Sequence, residues 1–144
     1  MSDAGHTAVP VITYDLAAHT VAVAVEAAAR AGVRGVVAVV DPMMAMVAFG
    51  RADGATPHSV ETSRRKAMTA ASTRKPSAAM VPELAVALEH GTGGILTSIA
   101  GGVPIVLDGV HVGGLGVAGG RPDQDAQVAA EVLAEIGADT GMLP

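Results

Sequence analysis

The sequence has no cysteine and no tryptophan, and its only aromatic residues are Tyr14 and Phe49. Without cysteine there is no disulfide framework, no thiolate metal centre and no cysteine nucleophile. With two aromatic side chains there are no stacking platforms for single-stranded nucleic acid. A formal net charge of −5 also has the wrong sign for a phosphate-binding footprint, so nucleic acid is not expected as a partner. No apolar run reaches the ~18 residues of a membrane span, and MSDAGHTAVPVITYD lacks a basic start followed by a long apolar stretch. The expectation is a cytoplasmic protein without a membrane partner. A G-x-S-x-G elbow, a Walker loop and an HExxH helix are also missing.

What remains is 144 residues, half of them hydrophobic, with a core drawn from Val, Ala, Ile, Leu and the seven Met. That length suits one domain over 1–144, with 1–12 as a flexible or extended N-terminal segment. Ala-rich faces bury little area per residue, which favours a homo-oligomer, a dimer or larger.

The pattern predicts a helix over 14–31 ending at Gly32, then strands at 35–41 and 45–50 joined by Asp41-Pro42-Met43-Met44. RADGATP reads as a loop, and a charged helix follows over about 57–74, stopped at Lys75-Pro76. A shorter helix spans 80–90. Three strand-like runs follow, at 95–100, 104–107 and 110–118. Asp108-Gly109 between the last two carries the signature of a type I′ hairpin. A final helix covers about 122–137. Tight turns make the strands largely antiparallel, so the fold class is α+β: a five-stranded sheet flanked by helices.

Gly114, Gly116 and Gly119 have the G-x-G-x-x-G spacing of a dinucleotide site. That site needs a βαβ unit with a further parallel strand, and only one helix follows here, so the dinucleotide reading fails. Gly113 and Gly114 instead mark a bulge, or a close approach by backbone or ligand. Gly119 and Gly120 lead into a helix N-terminus and either shape a sharp turn or hold an anion.

Several stretches together resemble the GlcG/HbpS-type haem-binding, or haem-degrading, domain family: VVAVVD, RADGA, SVETSRRKAMTAA, GGVPIVLDG and GVAGGRPDQDAQVA, in that order. The resemblance implies a profilin-like fold, assembly into dimers or larger oligomers, and haem as a possible cofactor. Two places depart from the family pattern. Met43 and Met44 stand where Gly-Gly is usual, and Ala118 where Ser is usual, which implies a reshaped pocket.

Six of the nine Lys and Arg fall between 51 and 75. They either hold an anionic ligand or form a solvated helix face with Glu61 and Arg65 paired. Within the resembling motifs, Arg51 and Lys66 are candidates for the acid groups of a ligand. Lys66 has the small neighbours that leave room for general-base work, or it pairs with an acid, for which Asp53 is the expected partner. His58 and His111 are each candidates for an axial ligand or an acid/base, whereas no pair of His has zinc spacing, so no metal site is expected.

Two functions follow. In the first, the protein binds a small, flat, anionic molecule such as haem between the charged helix and the hairpin strand. Arg51, Lys66 and His111 hold it, Gly113, Gly114, Gly119 and Gly120 leave room, and Met43 and Met44 line the apolar part. In the second, a cofactor-free isomerase, lyase or cyclase acts on a carboxylated metabolite, with Lys66, Asp53 or His58 moving the proton.

Overall fold

The computed structural model describes residues 4–141. Helix α1, Tyr14–Arg30, starts where the Thr13 hydroxyl accepts the Leu16 amide at 3.2 Å, and it ends just before Gly32, whose φ of 77° stops it. Its Ala and Val residues bury Ala17, Val21, Ala24 and Ala28 along one stripe. Strands β1, Val36–Val40, and β2, Met46–Arg51, form the first hairpin. Helix α2 is Ser59–Thr73, followed by a 3₁₀ turn at Ser77–Ala79 and helix α3, Pro82–Gly91. Strands β3, Gly102–Leu107, and β4, Val110–Ala118, form the second hairpin, and helix α4, Pro122–Glu135, completes the described order.

The four strands make one antiparallel sheet in the order β2-β1-β4-β3. β1 is buried along its whole length because both faces are covered, which is why its sequence is continuously apolar rather than alternating. Val37 and Val39 join the core under α1 and α4, while Ala38 and Val40 face the Ala67, Met68 and Ala71 side of α2. Pro104 is tolerated because β3 is an edge strand.

The expected type I′ turn forms: Asp108 and Gly109 have φ of 48° and 79°. The sheet has four strands rather than the expected five. Residues 95–100 are apolar enough for a strand, but side chains elsewhere claim their backbone. The Thr97 amide donates to the Thr69 hydroxyl, the Ser98 amide to the Glu89 carboxylate, and the Ile99 carbonyl accepts from the Ser77 hydroxyl. A segment held this way runs as an ordered loop.

Candidate functional site

Lys66 is 1% exposed, on the face of α2 that meets the sheet. Its Nζ donates to the Val117 carbonyl at 2.9 Å and to Asp125 Oδ2 at 3.0 Å. Asp125, equally buried in the first turns of α4, accepts the Gly120 amide on its other oxygen at 3.0 Å. Burial lowers the Lys66 pKa, and the charge of and hydrogen bond to Asp125 oppose that shift. The expected partner, Asp53, is instead an exposed loop residue. Sequence separation explains the error: the acid lies 59 residues downstream. Asp125 was missed, although a buried ammonium requires an acid and the segment GRPDQD supplies one.

The anion expected at Gly119-Gly120 is thus the protein's own carboxylate, which occupies the Gly120 amide. Gly119 has φ 112°, which suits glycine at the bend from β4 into α4.

The space expected beside Gly113 and Gly114 is filled. A Cβ at Gly114 would meet the Ala67 carbonyl and the Ala71 amide, and one at Gly113 would meet the Val40 carbonyl. Gly114 lets the α2 backbone approach β4 and leaves no gap for a ligand at that point, whereas Gly113 lies against the Val40 carbonyl of β1. Lys66 is itself buried with its amine engaged by Val117 and Asp125, and the structure does not bring it together with the exposed Asp53 and His58. Arg51 is exposed at the end of edge strand β2, opposite Val36. Met43 is exposed and Met44 partly buried at the β1–β2 turn.

His111, half-buried on β4, places Nε2 2.8 Å from the Ala71 carbonyl, while Nδ1 is buried without a hydrogen-bond partner. Bonding to a carbonyl puts the proton on Nε2 and leaves Nδ1 as a lone pair. Burial, with the nearby Arg74 charge, holds the ring below its ordinary pKa against the opposing pull of the Ala71 bond.

An open cleft of about 340 Å³ lies on the other side of α2. His58, at the helix N-cap, Thr62 and Arg65 form one wall; Glu89 of α3 with Leu96 and Ile99 of the following loop form the other. Arg65 Nη1 donates to the Gly94 carbonyl at 2.7 Å, whereas its Nε is buried without a hydrogen-bond partner, 3.9 Å from Glu61. Glu61 is bound more closely by Arg64, at 2.6 Å, and the Arg64 hydrogen bond lowers its pKa. Glu89 Oε1 accepts the Ser98 amide and hydroxyl at 2.6 and 2.8 Å, which lowers its pKa as well. Both acids are committed to neighbours, and Arg65 keeps hydrogen-bonding capacity at the cleft. Arg65 belongs to the cation cluster visible in the sequence; that it faces this cleft follows only from the packing of α3.

The sequence profile of the HbpS-like haem-degrading proteins matches residues 12–134. The chain belongs to that family. A double mutant of HbpS from Streptomyces reticuli is 34% identical, with a TM-score of 0.82 over 94% of this chain and 93% of that one. The haem complex of PduOC is 29% identical, with a TM-score of 0.81 over 92% and 99%. At 24% identity, the protein ORFY of Klebsiella pneumoniae shares the fold, with a TM-score of 0.83 over 95% and 98%. No curated protein matches. Among the described residues, no three His, Asp or Glu side chains group to hold a metal ion, and no helix is long and apolar enough to cross a membrane.

Proposed function

We propose that this family member binds haem, or a similarly flat anionic molecule, at the cleft beside α2. The observation that carries the reading is that His58 and Arg65 line one cleft together with apolar Leu96 and Ile99. An imidazole would suit iron as a ligand, a guanidinium would suit a propionate, and an apolar wall would suit a macrocycle. The volume of about 340 Å³ stands at the low end of the roughly 300–1,000 Å³ of ligand pockets, so the cleft would enclose only part of a porphyrin. Haem, when bound, would supply a redox-active iron, and His58 would hold it through its imidazole, Arg65 would anchor an acid group, and Leu96 and Ile99 would keep that edge dry. The haem complex of PduOC and the HbpS-like family membership support this reading.

Assembly of like copies is part of the proposal. Val81, Leu84 and Val86 of the α3 region are 52%, 53% and 75% exposed. Val81, Leu84 and Leu88, the last 38% exposed, follow one another at i, i+3 and i+7 and so share a side of α3, an apolar stripe that such an assembly would cover.

The test is a hemin titration followed at the Soret band, with Arg65→Ala beside the parent protein. Saturation at one haem per subunit, weakened by the substitution, is the expected result. A titration that never saturates, or that ignores Arg65, overturns it.

A further inference from the structure

Met43, Met44 and Met46 fall within four residues at the β1–β2 turn, and none is fully buried. Met43 is 71% exposed and Met46 43% exposed. Met44 has φ 67°, a left-handed conformation in which a side chain crowds the backbone and which glycine adopts freely.

The turn itself is pinned. Asp41 Oδ1 accepts the Met43 amide at 2.8 Å and the Ala45 amide at 3.1 Å, and the Asp41 amide donates to the Ala45 carbonyl at 2.8 Å. Cross-strand pairing sets Met46 opposite Val40, so the two share a face of the sheet. Met44 packs against the cluster that contains Val40. Met46 therefore stands on the sheet face of Val40, Met44 packs against the cluster on that face, and Met43 is exposed at the turn between the strands. A strained backbone and exposed apolar side chains kept at one turn indicate a use for those side chains other than packing.

We propose that Met43, Met44 and Met46 form a thioether site for a soft monovalent cation of the Cu(I) class. Thioether sulfur is neutral and polarizable and prefers Cu(I) to hard cations. The donors carry no proton to displace, so binding is coordination alone, with no redox step, and the Asp41 carboxylate supplies a negative charge at the turn. The site shares no residue with the α2 cleft, so each stands or falls without the other.

Silver nitrate serves as a redox-inert probe of the full chain labelled with ¹³C at the methionine methyls. Saturable shifts of the Met43, Met44 and Met46 methyls, with Met80 unmoved, are expected. Met44→Gly relieves the backbone and preserves the fold, and it should weaken silver binding by about tenfold or more, as should Met43→Leu with Met46→Leu. The proposal is overturned by shifts that do not saturate, by Met80 moving in step with the other three, or by unchanged affinity in these variants.

Discussion

Lys66 and Asp125, 59 residues apart in sequence, meet at 3.0 Å with their side chains 1% and 2% exposed. The pair ties α2 to α4, and through the Val117 carbonyl and Gly120 amide it also fixes the end of β4. Removing one partner leaves a buried charge without its counterion, an effect that usually costs about 3–5 kcal/mol. Lys66→Ala and Asp125→Ala should each lose about that much in chemical denaturation, and Lys66→Met with Asp125→Leu should recover much of it. Losses that simply add in the double variant would refute the coupling.

His111 makes stability depend on acid. Its folded-state pKa lies below the ordinary 6.5, so between the two values the unfolded chain binds more protons than the folded one. The contribution is complete above about pH 6.5 and is lost as pH falls through the folded-state value. The denaturation midpoint should drop between about pH 7.5 and pH 5, and the drop should be smaller in His111→Gln. An equal drop in both proteins would assign the acid response to other groups.

The contact of α2 with β4 depends on hydrogen in place of side chains. A Cβ at Gly116 would meet the Ser63 carbonyl, and one at Gly114 the Ala67 carbonyl. Gly114→Ala and Gly116→Ala should each destabilise by about 1–3 kcal/mol or more. Gly91→Ala, with nothing within 4 Å of the added carbon, should be neutral or stabilising by about 0.4–1 kcal/mol. Thermal melts of the three variants decide the matter, and an unaffected Gly114→Ala would contradict the close packing.

These glycines also show where sequence reading succeeds and stops. The double glycine signals close approach, but its local pattern does not tell a ligand from a helix backbone. The Asp108-Gly109 turn was legible because two adjacent residues determine it. The loop at 95–100 was not, because Glu89, Thr69 and Ser77 hold its backbone from a distance. The same holds for the site: the cluster of cations is local and visible, whereas the burial of Lys66 and the exposure of Arg65 at a cleft depend on how α2 is turned against the sheet and α3.

Assembly through α3 gives a further expectation. Leu84→Lys with Leu88→Glu should shift sedimentation toward smaller species while leaving the far-ultraviolet dichroism unchanged, because both side chains are exposed on the same side of α3. An unchanged sedimentation profile would remove α3 from the contact.

The central claim is that His58, and not His111, faces the ligand. Resonance Raman and Soret spectra of the hemin-loaded protein, compared with His58→Ala and His111→Ala, test it most directly. His58→Ala should lose the iron-imidazole signature, and His111→Ala, whose ring is engaged with Ala71, should keep it. The reverse pattern would contradict the account.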